Sequence, residues 1–458
     1  MNCLNNMQMN KATIISAVVL TAVSCSRGSN DQNVTLITLD PGHFHAALVQ
    51  KTQYAQVSPD VYVYSPGGPD LEEHLAKIKA YNTREENPTC WNEVIYQGDD
   101  FLDRMIQEKK GNVMVTAGNN AKKTEYIKKT LDAGINVLAD KPMAINADNF
   151  RLLEECFEIA DRKGILLYDI MTERFEITSM LQKEIAEIPG IFGEQIQGTP
   201  DNPGVTMESV HCFYKNVSGK ALTRPAWFYD VTQQGEGIAD VMVHLVDLVQ
   251  WECFPEQAID YKTDVIVTSA SHWSTNLTPE EFKKSTGLDE FPEFLQKNVR
   301  NGVLEVFANG EINYCLRGVC AKVRALWDYE PASGGDTHFA VRRGTRANLT
   351  ICQTEAENFV PELYIEPAEG CSFSAVAKAF EPIAAKYPGV ELCQQEDGRI
   401  LVSIPKSYRN GHEAHFGQVT GNFLEYLANG NMPEWEVPCM IAKYYVTTRG
   451  WELAQQNR

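Results

Sequence analysis

The chain has 458 residues, 43% of them hydrophobic and 22% charged, with a formal net charge of -20. That length suits two domains, and that balance excludes a disordered chain and a polytopic membrane protein. The acidic excess excludes a nucleic-acid partner or an anionic lipid surface, which need clustered Lys and Arg, and points to a small neutral or cationic substrate or a locally buried site.

After Lys11 the run ATIISAVVLTAVSC has the length of a secretory h-region and is too short to cross a bilayer as a helix. Residues 1–24 therefore read as a signal segment. The quartet Ala22, Val23, Ser24, Cys25 resembles a bacterial lipobox with Cys25 as the lipidated residue, the alternative being an ordinary secretory peptide, and 25–33 reads as a polar tether. The expectation is an exported lipoprotein of a Gram-negative bacterium, periplasmic or at the outer membrane, touching lipid only through Cys25. Of the 12 cysteines, Cys3 and Cys25 lie in the leader. The rest show no CxxC, imply no particular pairing, and read mostly as small buried hydrophobes.

From residue 34 short aliphatic runs alternate with helical stretches: VTLITL, DVYVYS, NVMVTAG, INVLADKP and GILLYDI as strands buried on both faces, DLEEHLAKIKAY, DDFLDRMIQEKK, KKTEYIKKTLDAG and NADNFRLLEECFEIADRKG as helices. This predicts an α/β fold, with a Rossmann-like doubly wound parallel sheet over 34–170. Residues 66–92 exceed a simple crossover helix and predict a loop extension. From 171 to 458 the rhythm changes to longer strands (VTMESVHCFYK, TDVIVTSASHW, GVLEVFANGEINYCLRG, THFAVRRGTRANLTI) around a helical GIADVMVHLVDLVQW, which predicts a C-terminal α+β domain with a mixed or antiparallel sheet. The closing segment reads as two helices about a Pro-containing turn.

The turn after the first strand, LDPGHFHA, carries His43 and His45 one residue apart. Two chemistries compete for it. A dinucleotide turn G-x-G-x-x-G would put its glycines at Asp40, Gly42 and His45, of which only Gly42, the one that lets backbone approach a pyrophosphate, is kept. His45 in the third place predicts a wider approach of helix to strand. Alternatively, His-x-His opens a metal-dependent amidohydrolase barrel, but such a barrel needs histidines at later strand ends, and none occurs between His74 and His211. No metal site is expected.

Further on, VMVTAGNNAKKTEYIKKTLDAGINVLADKPMAI ends a strand in Asp140, Lys141, Pro142, and GEGIADVMVHLVDLVQW spaces Asp240, His244 and Asp247 at i, i+4, i+7, one face of one helix. Imidazole, with a pKa near neutrality, suits His244 as a general acid/base, Asp240 would orient its ring or hold a substrate hydroxyl, and Lys141 would donate to the substrate oxygen. Together these two motifs resemble the Gfo/Idh/MocA family of nicotinamide-dependent oxidoreductases, with Asp140 standing where that family carries Glu. The resemblance implies a cofactor, NAD or NADP, at Gly42, His43, Phe44, Ser65, Asn119, Asn120, Lys141 and Pro142, with Lys141, His244 and Asp240 catalytic. It also implies hydride transfer at a hydroxyl of a sugar, glycoside or polyol. No acid stands directly after the second strand, so NAD and NADP stay open, Asp70 being the nearest candidate. Substrate contacts are expected at Asp247, His211 and Lys215, and His412 and His415 in a surface or lid role. Export would make free cofactor scarce and so favours a tightly held one. It also opens a redox-neutral reading, in which transient sugar oxidation permits glycoside cleavage and the hydride returns. A non-catalytic glycan-binding lipoprotein is the remaining reading, and a homo-oligomer is compatible with all of them.

Overall fold

In the computed structural model, which describes residues 33–217, 220–331 and 335–456, the leader and Cys25 lie outside the described residues. Six strands, β1 (Leu36–Leu39), β2 (Asp60–Ser65), β3 (Asn92–Gln97), β4 (Val113–Thr116), β5 (Asn136–Asp140) and β6 (Leu167–Ile170), form one sheet in the order β3-β2-β1-β4-β5-β6. Every pairing in it is parallel. The order reverses between β1 and β4, and in such sheets the ligand crevice opens beyond the carboxyl ends of the strands at that reversal. Helices α1 (His45–Leu48), α2 (Pro69–Thr83), α3 (Phe101–Glu108), α4 (Asn120–Asp132) and α5 (Ala147–Lys163) join them. The central strands are buried apart from Asn136 at the start of β5, which is why they read as near-unbroken aliphatic runs. Helix α5 starts where the Asn146 side chain accepts from the Asn149 amide at 2.9 Å and stops at Gly164, whose φ of 64° few other residues adopt.

Two local expectations are corrected. The 66–92 stretch holds the expected helix, α2, and an extension over 84–91 with no helix or strand, and an unexpected strand, β3, follows it. This edge strand has Val94 39% and Ile95 47% exposed, and its Val94-Ile95-Tyr96 run is only three residues long between polar neighbours, shorter than the runs of the buried strands. Helix α1 is only four residues long.

The second sheet runs in the order Val265–Leu277, Val303–Leu316, Val319–Asp328, Val205–Cys212, Thr337–Arg343, Ala347–Gln353, Glu362–Pro367, Ile400–Ser403, Glu391–Gln394, with Val299–Arg300 paired at one edge. It is mixed, as expected: Val205–Cys212 runs parallel to Val319–Asp328, and the other pairings are antiparallel. Cys315 and Cys320 form a disulfide across two of its strands. Helices Ile177–Ala186, Met242–Cys253 and Glu436–Gln456 pack on this sheet.

The closing helices do not stay with the second sheet. Phe416, Val419, Phe423 and Leu424 of the helix His412–Asn429, with Met440 and Tyr444 of the last helix, belong to the core of the parallel-sheet domain. The last helix also lies against Val303–Leu316 so closely that a Cβ on Gly450 would come within 2.5 Å of Ile312 Cδ1. The end of the chain thus packs against both domains. No helix among the described residues is long and apolar enough to cross a membrane.

Candidate active site

The carboxyl ends of β1, β4 and β5 converge with the segment 224–247 of the second domain. After β1, Asp40 takes a φ of 46°, and the amides of Gly42 and His43 both donate to the Ala117 carbonyl, at 3.0 and 3.1 Å. Gly118 follows β4 so tightly that a Cβ there would fall 2.6 Å from the Asp40 carbonyl oxygen and 2.8 Å from the Gly42 nitrogen. Gly67 and Gly68, at φ of 94° and 89°, turn the chain after β2, and Asp70 comes within 3.2 Å of where a Gly42 Cβ would sit. The Trp227 indole from the second domain donates to Asp70 Oδ2 at 3.0 Å. Ser65 is buried at the end of β2 and accepts from the Gly67 amide at 3.0 Å.

Asn119 caps α4, accepting from the Ala121 amide at 3.1 Å and donating to Gln233 at 2.8 Å. Asn120 donates to the Gln234 carbonyl at 2.7 Å and accepts from Lys123 at 2.6 Å. Both amides, expected at the nicotinamide half, thus already bond protein groups, two of the four partners being side chains and two backbone, and these bonds tie the domains together or buttress α4.

At the end of β5 the buried Lys123 donates to the Asp140 carbonyl at 3.0 Å, and burial pulls its pKa down to about 8. The Lys141–Pro142 peptide is cis. Lys141 Nζ donates to Asp240 Oδ1 at 2.6 Å. Burial opposes the Lys141 charge, but Asp240 and Asp140 outweigh it and its pKa is raised. Burial likewise opposes ionisation of Asp240, and the Lys141 charge outweighs it, so Asp240 is held below the usual carboxylate range. At neutral pH the pair is ionic.

The backbone passes from Gly237–Asp240 to Met242–Cys253 through Val241, whose φ of -82° and ψ of -38° stay helical. Asp240 bonds Lys141 rather than the imidazole of His244, whose buried Nδ1 has no hydrogen-bond partner. Burial, then the nearby Lys141 charge, holds His244 well below its usual pKa rather than near neutrality. Asp247 faces elsewhere: it is buried, takes two hydrogen bonds from Arg174, at 2.6 and 2.7 Å, and one from Lys443 at 2.9 Å. The expected substrate contact at Asp247 is corrected to a structural one, because both its oxygens are occupied. His211 and Lys215 both pair with Asp336, His211 at 3.2 Å, and His211 packs on Trp327. Trp327 and Asp240 line a common small cavity with Phe213, Phe228 and Gln234, and neither His211 nor Lys215 lines it.

Sequence reasoning missed a cluster of imidazoles. His45, at 7% exposure, lies with its Nδ1 3.1 Å from both oxygens of Asp140. His43 Nδ1 is 3.7 Å from Asp140 Oδ2, and the His412 ring is 5.4 Å from that of His45. Burial holds His43 and His45 well below their usual pKa and His412 down to about 4. His415, expected at the surface or in a lid, is buried at 3%. The histidine gap between 74 and 211 excluded a barrel, but it did not exclude a carboxylate at a strand end as the third member of the group.

Relatives bear on this arrangement. Residues 181–455 match the family model described as "Putative oxidoreductase C terminal domain". A solved structure of an oxidoreductase-family protein from Parabacteroides merdae is 57% identical over 93% of this chain and 99% of its own, with a TM-score of 0.91. The Escherichia coli protein YhhX, an uncharacterized oxidoreductase, is 25% identical over 166 residues, 36% of this chain and 43% of that protein, so the match spans less than half of that relative. KijD10, a 3-ketoreductase from Actinomadura kijaniata in complex with NADP and TDP-benzene, shares the fold at 13% identity, covering 90% of this chain and 95% of its own with a TM-score of 0.53. The parallel β3-β2-β1-β4-β5-β6 sheet, the Asp140-Lys141-Pro142 strand end and the matched C-terminal domain agree: the chain belongs to this oxidoreductase family, of the Gfo/Idh/MocA type.

Proposed function

We propose that the protein is a nicotinamide-dependent oxidoreductase acting at a hydroxyl-bearing carbon of a sugar, glycoside or polyol, with its cofactor tightly held. The observation that carries this reading is the buried Lys141–Asp240 ion pair beside the unpartnered Nδ1 of His244, at the carboxyl end of a parallel sheet. The NADP and nucleotide-linked ligand named for KijD10, and the NAD named for GenD2, which shares the fold at a TM-score of 0.55, support the cofactor and substrate classes.

The residues fit a dinucleotide. Gly42 offers backbone without a side chain at the turn, Gly118 stacks on that turn where a Cβ would collide, and Asp70 returns to it. Gly42, His43 and Phe44 would flank the phosphates, Ser65 the adenosine ribose, and Lys141 and Pro142 the nicotinamide end. The Asp70 carboxylate is held by Trp227 beside Gly42, at the phosphate turn rather than the ribose, so the reading names both NAD and NADP. When bound, the nicotinamide supplies the hydride acceptor or donor at carbon. Lys141, kept charged by Asp240, donates to the substrate oxygen and favours alkoxide character. His244, kept neutral by burial and by Lys141, accepts the hydroxyl proton at an imidazole nitrogen.

A second reading, a redox-neutral glycoside cleavage that returns its hydride, is favoured by the Cys315–Cys320 disulfide. A disulfide supports the exported lipoprotein proposed from the leader and Cys25, where free cofactor is scarce and recycling in place has an advantage. One experiment tests both. The purified protein is denatured, released dinucleotide is identified by mass, and sugars and glycosides are screened with Lys141→Ala and His244→Ala as controls. A keto-sugar product supports oxidation, and cleavage without net cofactor change supports the second reading. Absence of bound dinucleotide, with no binding on addition of NAD or NADP, refutes both.

A further inference from the structure

Beside the proposed catalytic pair lies a set of donors that hydride transfer does not use. His43, His45 and Asp140 each direct one ligand atom into a common space, all within 4.8 Å of one another. The separations suit a bound ion. A metal about 2.1 Å from imidazole nitrogen and carboxylate oxygen separates neighbouring donors by about 3.0 Å in octahedral and about 3.4 Å in tetrahedral geometry. Here Nδ1 of His45 is 3.1 Å from each Asp140 oxygen, and Nδ1 of His43 is 3.7 Å from Oδ2.

His45 Nδ1 stands 3.1 Å from each Asp140 oxygen, within the range of a bifurcated hydrogen bond, and a bound ion would take the place of that shared proton. His43 Nδ1, its atom buried, has no hydrogen-bond partner at all. An unmet acceptor or donor in that position is costly unless something else fills it. The three residues come from the carboxyl ends of β1 and β5, whose mutual position is fixed by the sheet, so the donors are preorganised by backbone rather than by flexible side chains. Lys123 holds the Asp140 carbonyl at 3.0 Å and steadies that strand end from behind.

We propose that His43, His45 and Asp140 form a binding site for a first-row divalent transition-metal cation. Two imidazoles and one carboxylate are the donor set that such ions prefer over magnesium or calcium. Charge makes the same selection: Asp140 and Asp240 are offset by Lys123 and Lys141, so the site has little excess negative charge to attract a hard cation, and affinity comes from coordination. The side chain of His43 is 22% exposed, which leaves an entry path and room for further ligands on that side. Those positions take water or an oxygen of the substrate, whose polarisation beside Lys141 is the Lewis-acid contribution the ion makes. The site stands on its donors whether or not a dinucleotide binds.

The test reads metal directly. Chelator-stripped protein is dialysed against Zn2+ or Co2+ and bound metal is measured per chain, with the visible absorption of the Co2+ form reporting its ligands. About one ion per chain is expected. His43→Ala and His45→Ala each weaken binding about 10- to 100-fold and alter the Co2+ spectrum, and Lys141→Ala, which removes a neighbouring cation, binds at least as tightly as the unaltered chain. If His45→Ala does not fold by circular dichroism, His43→Ala and Asp140→Asn decide. Failure of the unaltered protein to bind either ion, or unchanged binding and spectrum in these variants, overturns the proposal. Dinucleotide binding measured on the same samples keeps its failure separate from that of the oxidoreductase reading.

Discussion

Asp247→Asn separates a structural from a substrate-binding aspartate. Asp247, at 1% exposure, accepts from Arg174 and Lys443. Lys443, fully buried, also pairs with Asp169 at 2.8 Å, and Arg174 with Glu436 at 3.0 Å. The network joins the end of β6, the helix Met242–Cys253 and the last helix. Neutralising Asp247 leaves Arg174 without its bidentate partner, and breaking one partner of a buried pair costs about 3–5 kcal/mol. With an unfolding entropy of about 2.1 cal/mol/K per residue, a cooperative chain of 458 residues loses about 3–5 °C in Tm. Burial raises the Asp247 pKa, but Arg174 and Lys443 outweigh it and it is lowered. Its contribution is therefore present above its unfolded value of about 3.9 and is lost as pH falls through the lower folded value. Thermal scans by circular dichroism should show the two proteins differing fully at pH 7 and converging only below about pH 4. The double variant Arg174→Met, Asp247→Leu should recover part of the loss. A Tm shift under about 1 °C at pH 7, or a double variant as unstable as the sum of the singles, would refute the reasoning.

Lys141→Ala should lower kcat/KM about 10²- to 10³-fold with an unchanged circular dichroism spectrum, and normal turnover would remove Lys141 from the chemistry. In Asp240→Asn, the strongest of the charges that outweigh burial is removed, so the Lys141 pKa falls. Since the charged form is the active one, the alkaline limb of the pH–rate profile should move to lower pH, and an unmoved limb counts against the pairing. A Cβ at Gly118 would lie 2.6 Å from the Asp40 carbonyl, so Gly118→Ala should displace the turn at a cost of about 1–3 kcal/mol and weaken NAD binding in a fluorescence titration, and unchanged affinity would show that the turn does not meet the cofactor.

The amino-acid sequence by itself determined the architecture, because the information is local: buried parallel strands must be aliphatic throughout, helices must repeat every 3.6 residues, and their caps are encoded within a few positions. Lys141, Asp240 and His244 were legible for a similar reason, as each stands at a fixed offset from a strand end or a helix start. The partners of those residues were not legible. Asp240 meets Lys141 and Asp247 meets Arg174, and helical periodicity places side chains on a face without saying which charges of other elements come to it. Strand β3 escaped detection because its hydrophobic run, Val94-Ile95-Tyr96, is short and bounded by polar residues. Only tertiary structure brought Asp140 to His43 and His45 across nearly a hundred residues, and His412 to the same place from the far end of the chain. Such meetings depend on which strands become neighbours in the sheet and where the last helices dock, and no local signal in the chain encodes either.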